Sequence, residues 1–286
     1  MLKNKVVIAV PNALVSSENQ TDYIMYDYHE YNPDIRLTPW IKNYWSADGF
    51  WESEVIPKVF PDGCTDIIFR FDRTKGTSYA GLFGTTTTFI EVDYPTPTQM
   101  FGIRFKPAGI ASFTRIPVNE LTDQSVELAL LETLFDKSFY EELPEKQSFA
   151  EIVVHTNRCL INQLPRLYHF DKPIIRAVDL ISFANGQLNL ADVAFAVCLC
   201  QRHFERKFKS TVGVSPKMFA KIFRFKHVLK CMHNYPHKNL LTIAEECGYY
   251  DHTHLIKDFK SLSGDTPTDF RTKKSIFYAH SDEYIM

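Results

Sequence analysis

The sequence lacks the marks of several function classes. No stretch of about 20 apolar residues appears, so nothing is expected to span a membrane and no membrane partner is implied. The start, MLKNKVVIAVPNALVSSENQ, has two lysines and a short apolar run, but the run breaks at Pro11 and is too short for a secretion signal. It reads as an N-terminal strand or a ragged leader. The six cysteines, Cys64, Cys159, Cys198, Cys200, Cys231 and Cys247, form no CxxC pair and fit no common zinc spacing. They read as reduced, buried small residues of a cytoplasmic protein, with no metal implied. No GxSxG, HExxH, phosphate-loop or dinucleotide motif is present, so no catalytic residue and no cofactor is assigned. Strong net charge is also missing: the 286 residues sum to −2.

That small sum hides an asymmetry. Residues 171–286 hold 17 Lys and Arg against 12 Asp and Glu, whereas residues 1–170 hold 15 against 22. Seven of the ten histidines lie in the basic part. A basic half joined to an acidic one suggests a nucleic-acid-binding domain beside something else, though a solvated surface can carry the same excess. With 45% hydrophobic and 14% aromatic residues, the chain can bury two substantial cores.

Residues 21–120 are rich in β-branched and aromatic residues interrupted by Pro and Gly. Cys64–Phe71, Thr85–Val92 and Met100–Phe105 read as strands, with turns at Pro61-Asp62-Gly63 and Pro95-Thr96-Pro97. Strands at this spacing predict a small barrel or sandwich. Segments 125–142 and 148–164 then carry apolar residues at helical spacing, among them Val126, Leu130, Leu131 and Leu134. Pro165–Pro173 reads as a linker. The expected organisation is an N-terminal effector-binding and dimerisation domain over 1–165 (β-rich 21–120, helices 121–164), a linker at 166–173, a DNA-binding domain at 174–275 and a tail at 276–286.

Beyond the linker the sequence repeats. Phe208-Lys209-Ser210 through Ser215-Pro216 matches Phe259-Lys260-Ser261 through Thr266-Pro267 at an offset of 51 residues. Leu190, Val193 and Ala194 match Leu240, Ile243 and Ala244 at an offset of 50. Each copy has the grammar of a helix-turn-helix. A short helix carries a small residue, Ala194 or Ala244. A tight turn follows at Cys198-Leu199 or Gly248-Tyr249, and a second helix begins near Gln201 or His252. Phe204 and Phe208, or Leu255 and Phe259, set the buried face by their four-residue spacing. Arg202, Arg206 and Lys209 then point outward in one copy, and Thr253, Lys257 and Lys260 in the other. Arginine suits guanine because its fork matches O6 and N7, and Glu205 can accept from cytosine N4 or orient Arg206. One such helix alone is usually just amphipathic; its duplication favours the DNA reading. His252 and His254 do not share a helix face as a metal pair would. Cys198 stands where the second copy has the turn residue Gly248, and Cys200 where it has Asp251, a far better N-cap.

At these residues, about 173–274, the chain resembles the AraC/XylS family of bacterial transcription regulators. The resemblance implies that Arg202, Glu205 and Arg206 face one groove segment and His252, Thr253, His254 and Lys257 the next; Gln201, Lys209 and Lys260 are further candidate DNA contacts. A long helix, about Pro216–Tyr235, would join the two readers. It also implies double-stranded DNA as partner, a homodimer, a small-molecule effector, and RNA polymerase as partner if the role is the commoner one of activator. Upstream, Trp40–Trp45, Pro61–Asp66 and Gly102–Gly109 resemble, more loosely, an uncharacterised module found ahead of such domains, with a cupin-like effector-binding barrel as precedent. The implied fold class is α+β: a β-rich barrel or sandwich with flanking helices, followed by an all-α domain. Trp45, Asp62, Asp66 and Arg104 are candidate effector-pocket groups; a turn aspartate and surface charges is the competing reading, and the residues favour it. Two other readings of the N-terminal half remain. A fused alkyl-transfer enzyme would need a metal-held cysteine cluster where only Cys64 and Cys159 stand, and a regulator without ligand would answer to abundance or a partner protein.

Overall fold

A computed structural model describes residues 23–52, 58–72, 74, 77–91, 98–127, 134–135, 137–146, 148–167, 171–272 and 277–278. The chain start, the Pro95-Thr96-Pro97 turn, and Leu130 and Leu131 lie outside the described residues.

The N-terminal part is built on strands β1 (Tyr23–Tyr31), β2 (Ile41–Glu52), β3 (Lys58–Val59), β4 (Thr65–Asp72), β5 (Thr77–Phe83), β6 (Ile90–Glu91), β7 (Thr98–Phe105) and β8 (Ser125–Glu127). Six form one sheet in the order β1-β2-β7-β4-β5-β8, every neighbouring pair antiparallel. The period of two divides its faces. Ile67 and Phe69 of β4, and Phe101, Ile103 and Phe105 of β7, join one core with Phe139 of α1 (Lys137–Glu142) and Ile152, Val153 and Leu160 of α2 (Phe149–Gln163). Asn157 fixes α2 on that face: its Oδ1 accepts from Tyr44 Oη at 2.9 Å and from the Asp34 amide at 3.0 Å. On the opposite face Trp45 crosses Gly102, where a Cβ would collide with the indole.

Two segments depart from the sequence reading. Thr85–Phe89 is a loop, and among the described residues of the expected strand only Ile90–Glu91 is extended. The Thr85 and Thr88 hydroxyls are used by the helical domain instead of lying along a ladder, and the Thr87 hydroxyl donates to Asp123. Ser125–Glu127, expected to open a helix, is edge strand β8, because Val126 pairs with Leu82 and the Gly84 amide donates to Gln124 O at 3.0 Å.

The C-terminal part is helical: α3 (Lys172–Phe183), α4 (Leu190–Ala196), α5 (Gln201–Val212), α6 (Pro216–Asn234), α7 (Leu240–Glu246), α8 (His252–Ser263) and α9 (Pro267–Thr272). The expected linker ends early, since Asp171 accepts from the Ile174 amide and Pro173 sits in the first turn of α3, where its missing N–H costs nothing. The two repeats bury separate cores. Ile174, Ile181, Phe204, Phe208 and Phe219 form the first; Phe225, Ile243, Leu255, Phe259 and Phe270 form the second. Each also takes a residue from the β-rich part, Ala108 in the first and Phe60 in the second. A further strand, β9 (Phe277–Tyr278), runs parallel to β3 in a small sheet ordered β6-β3-β9. Among the described residues, no helix is long and apolar enough to cross a membrane.

Candidate nucleic-acid interface

Each repeat begins from an asparagine cap. Asn189 Oδ1 accepts from the Ala191 amide at 2.9 Å, and Asn239 Oδ1 from the Leu241 amide at 2.8 Å. The short helices α4 and α7 then turn through one left-handed residue, Cys198 at φ 57° or Gly248 at φ 72°. That turn lets the Leu199 amide reach Ala194 O at 3.0 Å and the Tyr249 amide reach Ala244 O at 2.9 Å, satisfying helix-end carbonyls. Ala194 and Ala244 are buried at the crossing with the following helix.

The apolar faces of α5 and α8 are anchored by aromatic contacts: Phe208 on Phe219 with ring centroids 5.4 Å apart, and Phe259 on Phe225 at 5.0 Å. The opposite faces are open. Gln201, Arg202, Glu205, Arg206 and Lys209 on α5, and His252, Thr253, His254, Lys257 and Lys260 on α8, are all exposed. Gln201 Nε2 donates to Glu205 Oε1 at 3.1 Å, and His254 Nε2 lies 3.6 Å from Asp258. His203 shares the α5 face, at the position that matches His254 by the 51-residue offset; sequence reasoning passed over it, although the repeat points to it.

A second feature visible only in the fold is how the second helix of each repeat is braced. Lys207 Nζ of α5 pairs with Asp171 at 2.9 Å, and Lys221 Nζ pairs with Asp258 of α8 at 3.1 Å. Asp171 matches Lys221 at offset 50, and Lys207 matches Asp258 at offset 51. The two repeats therefore keep one ion pair in the same place with its polarity exchanged.

The β-rich part grips the other ends of the same helices. Thr85 Oγ1 donates to Val212 O at 2.9 Å and Thr122 Oγ1 to Gly213 O at 2.6 Å. Thr88 Oγ1 donates to Ser261 O at 3.1 Å, and Lys58 Nζ to Ser263 O at 3.3 Å and to Asp265 Oδ2 at 2.8 Å. Val212 and Ser263 are repeat partners, as are the C-cap glycines Gly213 (φ 99°) and Gly264 (φ 81°). Side chains of Thr85 and Val118 press on the first glycine and those of Phe89 and Lys58 on the second, leaving little room for a Cβ.

The N-terminal candidates do come together, on the sheet face away from α2. Trp45 Nε1 donates to Asp66 Oδ1 at 3.0 Å, Arg104 Nη2 pairs with Asp66 at 3.0 Å, and Arg104 Nη1 lies 3.6 Å from Asp62. Asp62 is the expected turn aspartate, accepting from the Cys64 amide at 2.9 Å. Asp66 and Arg104 are not surface charges: Arg104 is 2% exposed. Burial opposes its charge, but the Asp66 and Asp62 carboxylates more than restore it and hold its pKa above the ordinary range. Burial, reinforced by Asp62, raises the Cys64 thiol to about 12, so it stays protonated and a poor nucleophile.

The first repeat carries the weaker turn. Asp251 caps α8 by accepting from the His254 amide at 2.7 Å, whereas Cys200 makes no side-chain cap bond to α5. Non-glycine Cys198 also holds a left-handed conformation that costs about 1 kcal/mol or more. Cys200→Asp is expected to raise stability by about 1 kcal/mol, and Cys198→Gly by about 0.5–1 kcal/mol after glycine's entropy cost, both in urea unfolding. No gain from Cys200→Asp would mean that the first turn of α5 is already satisfied.

Comparison with known proteins accords with this geometry. Residues 178–273 match a family described as a helix-turn-helix domain, and residues 29–127 match a domain of unknown function (DUF6597). A comparison with curated proteins finds none that matches. Among solved structures, an AraC-type DNA-binding transcriptional regulator from Chromobacterium violaceum is 23% identical, with 35% of this chain and 89% of that one covered and a TM-score of 0.33. The DNA-binding domain of AdpA in complex with a target DNA is 20% identical, over 35% of this chain and 90% of that one, with a TM-score of 0.33. ToxT from Vibrio cholerae is 10% identical, over 88% of this chain and 98% of that one, with a TM-score of 0.38. The chain thus carries a helix-turn-helix domain at residues 178–273 behind a domain of unknown function at residues 29–127.

Proposed function

We propose that this chain is a one-component, sequence-specific regulator that reads two successive major-groove segments of an operator, one with α5 and one with α8. The observation that carries this reading is the pair of exposed, polar and basic faces at repeat-related positions. Arg202 and Arg206 supply forked donors for guanine, and Glu205, beside Arg206, accepts from cytosine or steadies the arginine. Thr253, Lys257 and the two histidines form the second, milder reader. Lys209 and Lys260 sit one turn further along each helix, where phosphate contacts position the protein without reading sequence. A single chain then reads an asymmetric site, and a homodimer reads two.

The β-rich module is the controlling part. It touches the C-terminal ends of both readers, so a small-molecule effector that shifts the module between two arrangements shifts operator affinity by population. Trp45 and Arg104 both donate to Asp66 inside the sheet; the effector clause rests on the module's contact with the readers instead. RNA polymerase is the further partner if the regulator activates, and the work is done in the cytoplasm.

Two measurements test these clauses separately. Arg206→Ala is expected to cost about 1–3 kcal/mol of operator binding and to relax selectivity at one base pair. Unchanged operator affinity would remove α5 from the interface. For the effector, a metabolite screen by thermal shift is expected to return a compound that raises the melting temperature of the full chain in excess and also changes its operator affinity. A screen in which no compound does either overturns the effector clause and leaves the DNA reading intact.

A further inference from the structure

The second repeat holds a cluster that neither the repeat architecture nor DNA reading needs. His227 and Cys231 lie one turn apart on α6, and Cys247 caps the end of α7, at the turn that leads into α8. Cys231 Sγ and Cys247 Sγ are 3.8 Å apart, His227 Nε2 is 3.9 Å from Cys231 Sγ, and all three ligand atoms lie within 4.8 Å of one another. Both cysteines are buried and His227 is half-buried.

The first repeat shows what this place in the fold requires. By the 50-residue offset that aligns Asn189 with Asn239, the matching residues are Ala177, Ile181 and Val197. All three are buried and apolar, and they pack the same crossing of helices in the first core. The architecture is therefore satisfied by hydrocarbon, and the second repeat has replaced all three positions with metal-ligand types. Chance exchange of a single buried Val for Cys is unremarkable, but three concerted replacements that converge on one point call for a reason.

We propose that His227, Cys231 and Cys247 bind a divalent thiophilic cation of the zinc class. The spacing is that of a tetrahedral centre. With Zn–S about 2.3 Å and Zn–N about 2.0–2.1 Å, two thiolates on one ion sit about 3.8 Å apart, and a thiolate and an imidazole about 3.6 Å apart. Two of the distances, 3.8 and 3.9 Å, need a shift of only a few tenths of an ångström, and the third, between His227 and Cys247, lies within 4.8 Å and closes by a turn of the half-buried imidazole. Charge also fits the place: two thiolates neutralise a divalent ion, so the complex adds no net charge to a buried site. On binding, each cysteine gives up its thiol proton to solvent and forms one S–metal bond, while neutral His227 donates its Nε2 lone pair. No redox change occurs, and the fourth position takes water. The ion would staple the joining helix α6 to the turn that aims α8, making the geometry of the second reader dependent on metal.

The test uses the full chain, reduced with a phosphine and titrated with Co²⁺ and then Zn²⁺. The expected result is one Co²⁺ per chain, with thiolate-to-cobalt charge transfer and intense d–d bands of tetrahedral type, displaced by Zn²⁺, and a higher melting temperature with either ion. The variant H227A/C231I/C247V carries the first repeat's own residues and is expected to fold and to lose the spectrum. The single variant C247V is expected to weaken Co²⁺ binding at least about tenfold, the loss that even an outer-shell partner can cause. The variant C198S/C200S, which removes the exposed thiols, is expected to bind as the parent does. Absence of a tetrahedral cobalt spectrum in the reduced parent overturns the proposal. So does an unchanged Co²⁺ affinity in C247V, a spectrum that survives in the triple variant, or one that disappears in C198S/C200S.

Discussion

The carbonyls at the C-terminal ends of two helices, Val212–Gly213 and Ser261–Ser263, accept hydrogen bonds from one protein module, and the working geometry follows from that. A helix leaves its last carbonyls without intrahelical partners. Here both orphaned ends point at the β-rich part, where Thr85, Thr122, Thr88 and Lys58 donate to them. Lys58 adds a positive charge at the negative end of the α8 dipole. Because the gripped atoms are repeat partners, the module holds both readers at equivalent points. Each hydrogen bond is worth about 0.5–1.5 kcal/mol net. Loss or gain of one or two is enough to match the coupling of about 1–3 kcal/mol typical of allosteric proteins.

Much of this was legible in the sequence because duplication multiplies weak signals. Phe204 and Phe208 alone mark an ordinary amphipathic helix, but their recurrence as Leu255 and Phe259, with matching turns and outward basic residues, marks a duplicated helix-turn-helix. The starts of α5 and α8, at Gln201 and His252, agree with the sequence reading. Thr85–Phe89 was illegible for a physical reason. A run of β-branched residues favours extended backbone wherever it can pair, and only tertiary context shows that its hydroxyls serve helix ends more than 120 residues further on. Arg104 misled in the same way: a charged residue between Ile103 and Phe105 reads as outward-facing until Asp62 and Asp66 are seen to accompany it into the interior. The His227–Cys231–Cys247 cluster follows no metal-binding spacing in sequence, because α6 and α7 bring the third ligand back across 16 residues of chain.

The two repeats have diverged in instructive ways. The first carries the stronger readers, Arg202 and Arg206, on the weaker scaffold, with Cys198 forced into a left-handed turn and no cap at Cys200. The second has the glycine turn, the Asp251 cap and milder readers. The bracing ion pair survives with exchanged polarity, which preserves the attraction while altering the local charge beside each reader.

As proposed, α5 and α8 are held at a fixed separation and act as one rigid instrument. The direct measurement is operator affinity of the full chain for two DNAs, the natural site and one with about half a helical turn, roughly 5 base pairs, inserted between the two contacted segments. Rigid readers predict that the insertion rotates one segment away from its helix and abolishes that helix's contribution, whereas a full-turn insertion restores the face but still leaves the segments out of reach. Equal affinity for the natural and the half-turn site would contradict the account, because it would mean that α5 and α8 find their grooves independently.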